Sequence, residues 1–303
     1  MERQAEPAEL EACMITGVMH DFQVLFDHGE RSELLDPAMA LYGKLGFPAP
    51  PAGRPWVYAN FVQTIDGIVS LLGAEAGGAD ISGLPEDRWL MDLLRAHADA
   101  VMLGMGTLRE EQKMGRPRPR GPVFRIMDAG MQQLRTHLHR GRERNILVTA
   151  RADFQMSDYA VFDGEDVDVT VVTTREGAQR LEAQRQSHAW VDIIGVDEAA
   201  APGGVELRQA VAALRERYAI NYLLCEGGPT LYSGMLKAEL IDEKFVTVSP
   251  LEVGRLSAQG PRPTVLPEIG FSKEDAVRWS WLSCRKVGDY QFHRFRRKVS
   301  GVC

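Results

Sequence analysis

The segment CEGGPTL at 225–231 carries the residue types and spacing that most strongly indicate a ligand site. An apolar strand predicted over Tyr222–Cys225 runs through an acid into Gly227 and Gly228, and Pro229 suits the first position of a following helix. Glycines let the backbone approach a ligand closely, and a helix start offers unpaired N–H groups at the positive end of its dipole. Such a junction binds pyrophosphate, although any tight strand-to-helix turn also favours glycine.

Two further predicted strands end in glycine or polar residues. In VMLGMGT, an apolar run leads into Gly104, Gly106 and Thr107, but the acid that follows a full dinucleotide-binding fingerprint about 20 residues later is missing. In NFVQTIDG, Asp66 lies in a turn of a kind that hairpins also use. Each pattern alone is weak. Because ligands of parallel sheets bind along the carboxyl edge, the three ends together predict one site.

Two threonine–arginine combinations follow other predicted strands and indicate a phosphate contact. They are Thr149 with Arg151, and Thr173 with Arg175. A hydroxyl and a guanidinium both bond phosphate oxygens, so either combination suits a 2′-phosphate. The basic stretch Arg116–Arg120 has two interpretations, a solvated loop or a clamp for the phosphate of a small ligand.

Composition and missing motifs limit the class of protein. The formal net charge of -7 disfavours nucleic acid as a partner. No apolar run reaches the roughly 18 residues of a membrane span, and residues 1–30 are too acidic for a signal peptide, so we expect a cytoplasmic protein without a membrane partner. The four cysteines form no CxxC pair and predict no metal site. The lack of GxSxG, HExxH and P-loop motifs disfavours hydrolases, metalloproteases and kinases.

Strand-like and helix-like segments alternate from Arg54 onward. Short apolar strands joined by helices of about a dozen residues are typical of βαβ units and a mostly parallel sheet. The last two predicted strands, Val277–Arg285 and Tyr290–Arg296, have no helix between them. We therefore predict an α/β domain over 54–303, with a mostly parallel central sheet that ends in a C-terminal antiparallel hairpin.

Residues 1–53 differ from the rest of the chain. Apolar residues have helical spacing over Ala8–Val18 and Pro37–Leu45, and residues 48–53 are rich in proline and glycine. We predict a helical N-terminal extension and a linker, packed on the main domain or on a partner subunit.

Three segments in this order, RPWVYANFVQTIDG, LLRAHADAVMLGMGT and LLCEGGPTLYSGMLKAELIDEKFVTVSP, resemble a known family. It is the reductase domain of bacterial and archaeal riboflavin biosynthesis, the RibD C-terminal domain, of the dihydrofolate-reductase-like superfamily. The resemblance spans roughly Arg54 to Arg296. It implies a three-layer fold, NADPH as cofactor, a homodimer, and reduction of the ribosyl group of a ribosylaminopyrimidine phosphate to ribityl.

The resemblance also implies roles for particular residues. Asp66 and Glu226 are the candidates for catalysis, by positioning polar groups or relaying a proton. The candidates for cofactor binding are Val62, Thr64, Gly104, Gly106, Thr107, Thr149, Arg151, Gly227, Gly228, Pro229, Thr230 and Leu231. The candidates for substrate binding are Asn60, Ser82, Arg95, Glu111 and Glu226.

One segment departs from the family pattern and keeps alternatives open. In the family, the GxGT motif is followed by an acidic segment and an arginine that binds substrate phosphate. This chain has a different sequence there, in which Glu111 could replace one acid and Arg116 or Arg118 could replace the arginine. A dihydrofolate or other pterin reductase, and an NADPH-binding protein without turnover, are therefore alternatives. Arg95 has a second interpretation as a cap of helix carbonyls. Residues 1–50 lack the motifs of the zinc deaminase that is fused to many bacterial relatives.

Overall fold

A ten-stranded sheet lies at the centre of the computed structural model, which describes residues 21–30, 41–43, 45–71, 78–113, 126, 128–164, 167–200, 204–258, 260–267 and 269–298. The strands in these residues are β1 Gln23–Asp27, β2 Trp56–Thr64, β3 Ala100–Gly104, β4 Arg144–Val148, β5 Asp168–Thr174, β6 Val191–Val196, β7 Tyr222–Cys225, β8 Glu243–Ser249, β9 Leu256–Ser257, β10 Gly260–Pro261, β11 Trp279–Val287 and β12 Tyr290–Arg297. The helices are α1 Gly78–Ser82, α2 Pro85–His97, α3 Met105–Lys113, α4 Ala129–His137, α5 Arg175–Glu182, α6 Leu207–Tyr218 and α7 Pro229–Lys237. Within the described ranges, no helix has both the length and the apolar character needed to cross a bilayer.

The strand order is β1-β11-β12-β8-β2-β7-β3-β4-β5-β6. Every pairing from β8 to β6 is parallel, whereas β12 pairs antiparallel with β8, β11 with β12, and β1 with β11. The predicted mostly parallel sheet with a C-terminal hairpin is confirmed. Strands β9 and β10 form a separate two-stranded sheet.

Helices cover both faces of the large sheet, which gives the predicted three layers. Neighbouring residues of a strand point to opposite faces, so Tyr58 and Ala59 of β2 enter different clusters. Tyr58 packs with Leu94 of α2 on one face. Ala59 packs with Val211 of α6 and Met235 of α7 on the other.

Helix α2 begins with residues that favour a helix N-terminus. Pro85 is its first residue, and the acids Glu86 and Asp87 lie in its first turn, where they stabilise the positive end of the helix dipole. Two contacts fix its position over the sheet. The Tyr58 hydroxyl donates to the Leu94 carbonyl at 2.8 Å, and Nη1 of Arg135 in α4 donates to the carbonyl of Ala98, just past the helix, at 2.7 Å.

The described part of the N-terminal region contains a strand that the sequence analysis missed. β1 extends the sheet antiparallel to β11, and Nη2 of Arg285 donates to Oδ2 of Asp27 at 2.6 Å. An edge strand of five residues with little burial lacks the alternation that marks a strand in a sequence. The predicted helix over Ala8–Val18 lies outside the described residues. Of the predicted helix over Pro37–Leu45, residues 41–42 are described as helical. The domain boundary itself stays a prediction.

Candidate active site

The carboxyl ends of the adjacent strands β2, β7, β3 and β4 form one edge of the sheet. The residues at or just after these ends are Thr64, Glu226, Gly104 and Thr149 respectively. The strand order and register bring Glu226, Gly104 and Thr149 together, as expected for ligand binding at the carboxyl edge of a parallel sheet. Thr64 lies further along the same edge, because Cys225 is level with Ala59 and β2 continues for five more residues. The role of each residue toward a cofactor or substrate stays a prediction.

The two glycine motifs contact each other where β3 and β7 lead into helices. A Cβ on Gly227 would lie 2.5 Å from Cδ2 of Leu231, and a Cβ on Gly104 would lie 3.7 Å from Cβ of the same leucine. A Cβ on Gly228 would lie 3.5 Å from Oγ1 of Thr107. Glycine at 227 is therefore required by the packing of Leu231, whereas a Cβ at Gly104 or Gly228 would make ordinary contacts.

Two helix N-termini meet at this point. Helix α7 begins at Pro229, and its N-cap Gly228 supplies no side-chain hydrogen bond to the helix N–H groups. Helix α3 begins at Met105 directly after β3, with Gly106 exposed in its first turn. Thr230 is exposed in the first turn of α7. Unpaired N–H groups and positive dipole ends favour an anion, so the residues present fit the pyrophosphate of a dinucleotide.

A buried charge pair links α2 to β7 beside the glycine turns. Nε and Nη2 of Arg95 donate to Oε1 and Oε2 of Glu226 at 2.8 and 2.7 Å, and the two side chains are 2% and 6% exposed. Burial disfavours the charged guanidinium, but the pairing with Glu226 more than offsets this and raises the pKa of Arg95. Glu226 is thereby held as a fixed acceptor. The capping alternative for Arg95 does not match this geometry, since Arg135 binds the carbonyls at the end of α2.

Asp66 holds the turn that follows β2. Its Oδ1 accepts a hydrogen bond from Oγ1 of Thr64 at 2.5 Å, and its Oδ2 accepts one from the Gly254 N–H at 2.7 Å. These bonds, with that from Thr64 the largest cause, lower the pKa of Asp66. An exposed and ionised carboxylate that binds two chain segments acts as a positioning residue in this geometry. Its predicted catalytic role stays a prediction.

Two half-buried residues of β2 lie on the same face of the sheet as α2. Asn60 and Val62 point to the same face of β2 as Tyr58, which bonds to α2, because alternate residues of a strand share a face. Val62 is in register with Thr247 of β8. Both Asn60 and Val62 are half-buried, and their predicted contacts with substrate and cofactor stay predictions.

Near β8, on this face of the sheet, lies an acid for which the sequence analysis proposed no role in the site. Asp87 accepts hydrogen bonds from the hydroxyls of Thr247 and Ser82, both of which are buried. Burial raises the pKa of Asp87, and the two hydrogen bonds offset part of the increase. Ser82, a predicted substrate residue, thus contacts this acid. Acids after Pro85 are common at helix starts, so the sequence offered no separate signal for a site.

The residues predicted to hold a 2′-phosphate lie further along the carboxyl edge and make local contacts. Thr149 is buried at the end of β4. Arg151 is exposed, with Nε 3.6 Å from Oδ2 of Asp153. Nε of Arg175 donates to Oδ1 of Asp197 at 2.8 Å. A phosphate at either arginine would therefore compete with an exposed carboxylate.

Part of the rewritten segment lies outside the described residues. Arg116 and Arg118 belong to the range 114–125, of which nothing is described. Glu111 belongs to α3, but its side chain is not among those described. Their predicted contacts with substrate phosphate stay predictions.

The fold and the comparisons with known proteins together define a three-layer α/β reductase, with glycine-rich turns beside a buried pair of charged groups. The family model of the RibD C-terminal domain matches residues 55–290. The chain belongs to this family, and the resemblance drawn from the three sequence segments is confirmed.

Individual relatives agree with this assignment. The chain is 25% identical over 224 residues to the 2,5-diamino-6-ribosylamino-4(3H)-pyrimidinone 5′-phosphate reductase of Archaeoglobus fulgidus, covering 73% of this chain and 90% of the relative. It is 28% identical over 227 residues to the protein of the same name from Methanothermobacter thermautotrophicus, covering 74% and 90%. The crystal structure of a pyrimidine reductase-like protein from Corynebacterium diphtheriae has a TM-score of 0.63 at 22% identity, covering 88% of this chain and all of that one, and it shows the shared fold.

Proposed function

We propose that this chain is an NADPH-dependent reductase that converts the ribosyl group of a ribosylaminopyrimidine phosphate to ribityl. One observation carries the proposal. The start of α7 at Gly228, which suits a pyrophosphate, lies two residues after Glu226, whose carboxylate is fixed by Arg95. A dinucleotide and a small polar substrate can thus bind side by side along one edge. The names of the two archaeal relatives support the choice of substrate.

The chain's own residues bind and orient the reactants in this proposal. When bound, NADPH would supply a hydride to the imine carbon of the ring-opened ribosyl group, and the imine nitrogen would take up a proton from solvent. The N–H groups at the start of α7 hold phosphate oxygens. Glu226, fixed by Arg95, keeps its remaining lone pairs for a hydroxyl or amine of the substrate.

An assay of cofactor oxidation tests this function. We expect loss of NADPH absorbance with 2,5-diamino-6-ribosylamino-4(3H)-pyrimidinone 5′-phosphate. The kcat/KM with NADH should be at least about 10-fold lower than with NADPH, since a 2′-phosphate adds contacts worth about 1.4 kcal/mol or more. Dihydrofolate serves as the comparison substrate. A higher kcat/KM with dihydrofolate would favour the pterin reductase, and NADPH binding without oxidation by either substrate would favour a protein without turnover.

We also propose that the reductase acts as a homodimer in the cytoplasm. Cytoplasmic placement is supported by Cys225 and Cys284, which are buried free thiols. Dimerisation is supported by an apolar surface on the sheet face opposite α2. There, a groove of about 510 Å³ includes Trp279 and Phe295 in its lining, and the neighbouring Trp281 is 50% exposed.

Charge placed on this surface is expected to dissociate the dimer. Trp281→Glu should raise the dimer dissociation constant at least about 30-fold, because a buried aromatic anchor contributes about 2 kcal/mol or more to an interface. The control is Leu256→Glu, which places the same charge on β9 at a leucine that is 82% exposed. Light scattering at several protein concentrations measures both variants. A wild-type protein that stays monomeric, or a Trp281→Glu protein that stays dimeric, would contradict the proposal.

A further inference from the structure

Lys244 lies in the groove on the sheet face opposite α2. It belongs to β8, where its backbone is in register with Ala59 of β2 and Phe295 of β12. Its Nζ lies 4.6 Å from the ring centroid of Trp279 and 5.2 Å from that of Phe295. Both rings line the groove together with Lys244, so a primary amine is held against aromatic walls in a mainly apolar space of about 510 Å³.

The ammonium group of Lys244 has no counter-ion among the residues that the structure describes. Burial is the cause that lowers the pKa of Lys244 to about 8, and no neighbouring charge acts against it. The faces of the two aromatic rings attract the ammonium, but such contacts are weaker than the cost of taking an unpaired charge fully out of water. A surface that covers the groove without supplying an acid would therefore favour the neutral amine.

The other titratable side chains that line the groove keep one charge state near neutral pH. They are Tyr232 of α7 and His293 of β12, since the lining residues from β2 and from the segment 265–277 carry no titratable group. Burial raises the pKa of Tyr232 and lowers the pKa of His293, so both side chains are neutral between pH 7 and pH 9. Arg297, further along β12, stays charged in this range. Within the described lining, Lys244 is therefore the group that titrates between pH 7 and pH 9.

We propose that a second copy of the chain covers Lys244, so that each protomer releases the proton of this side chain on dimerisation and the dimer becomes tighter as the pH rises. Phe295 lines the groove and also stacks on Trp281, with 6.2 Å between the ring centroids, so the groove and the exposed tryptophan form one apolar surface. A two-fold dimer buries the same patch of both protomers, and two lysines therefore lose their protons. The inference rests on the proposed dimer and adds a pH dependence to it.

The dimer dissociation constant of the wild type is expected to fall about 100-fold between pH 7 and pH 9, a factor of about ten from each protomer. A side chain with a pKa of about 8 is neutral in roughly one monomer in ten at pH 7 and in roughly nine in ten at pH 9. Because the pKa of Lys244 is lower still in the dimer, the dimer is favoured as the pH rises and loses this advantage as the pH falls. Light scattering over a dilution series at constant ionic strength measures the constant.

Two outcomes separate this inference from the dimer itself. A dimer whose dissociation constant is the same at pH 7 and pH 9, or is higher at pH 9, would overturn the inference and leave the proposed dimer standing. A protein that is monomeric at every pH would overturn both, and the proposed reductase activity would be unaffected.

The Lys244→Met variant tests the residue itself. Methionine replaces the stem of the lysine without a charge, so the dissociation constant of the variant should change less than about 2-fold between pH 7 and pH 9. At pH 7 the variant should dimerise more tightly than the wild type. Lys237→Met, in the last turn of α7, is the matched control, because it removes the same charge at an exposed site and should keep the pH dependence of the wild type. If the partner supplies a carboxylate to Lys244, the variant dimerises more weakly than the wild type at pH 7 and the inference fails.

Calorimetry counts the protons directly. The heat of dissociation on dilution is measured at pH 7 in phosphate and in Tris, two buffers that differ in their enthalpy of ionisation. The difference should correspond to about two more protons taken up per dissociating dimer in the wild type than in Lys244→Met. Thermal melting confirms that the variant is folded. Equal proton uptake by the wild type and by a folded Lys244→Met dimer would overturn the inference.

Discussion

Arg95→Met is expected to lower the free energy of unfolding by about 3–5 kcal/mol and to abolish turnover, because removal of one partner leaves a buried charge without compensation. The side chain of Glu226 is 6% exposed and receives both of its hydrogen bonds in this pair from Arg95. In the variant, Glu226 must either take up a proton or move toward water, and both changes remove the fixed acceptor. Urea unfolding and the cofactor-oxidation assay measure the two effects.

A double variant distinguishes the stability of the pair from its function. In Arg95→Met with Glu226→Leu, the two charges are replaced by apolar side chains, and such replacements of buried pairs are often neutral for stability. We therefore expect the double variant to recover most of the lost free energy of unfolding while turnover stays absent. A stable Arg95→Met single variant would contradict the structural role. Turnover by the double variant would contradict the functional one.

The sheet was largely predictable because its signals are local. Strands such as Ala100–Gly104 are short apolar runs that end in glycine, and the terminal hairpin lacks a helix between its strands. The glycine motifs were also found, since Gly227 and Gly104 each follow such a run. Because a parallel sheet aligns the carboxyl ends of its strands, the proximity of these motifs followed from the fold class.

The side-chain contacts between α2 and the strands β7 and β8 were not predictable in the same way. Arg95 and Glu226 were separate candidates for substrate contact, but they are 131 residues apart in the chain and carry no pattern that links them. Their bond depends on the position of α2 over β7, which packing decides. Asp87 was missed for the same reason, because its partner Thr247 lies on β8 and a helix-start acid is ordinary.

Strand β1 shows the limit of periodicity at a sheet edge. Only one of its sides pairs with β11, and its side chains alternate little between buried and exposed, so its sequence resembles a loop. The contact that attaches it, Asp27 with Arg285, is again a long-range one.

Gly228→Ala is expected to raise the dissociation constant for NADPH at least about 100-fold, or about 2.7 kcal/mol, without loss of stability. The backbone at this N-cap has φ -56° and ψ 170°, which alanine adopts, and the new Cβ would lie 3.5 Å from Oγ1 of Thr107, an ordinary contact. The methyl group would instead occupy the space through which a phosphate reaches the N–H groups of α7. Quenching of tryptophan fluorescence by NADPH measures the affinity.

Two further glycines make this prediction specific. At Gly227 a Cβ would lie 2.5 Å from Cδ2 of Leu231, so Gly227→Ala should also cost about 1–3 kcal/mol of stability through overpacking, and an added Leu231→Ala should relieve that cost. At Gly141, which precedes β4 and thus lies toward the opposite edge of the sheet, a Cβ meets nothing within 4 Å, so Gly141→Ala should bind NADPH as the wild type does.

Unchanged NADPH affinity in a folded Gly228→Ala protein would contradict phosphate binding at the start of α7. The pyrophosphate would then have to bind elsewhere along the carboxyl edge, where the exposed arginines Arg151 and Arg175 already pair with acids.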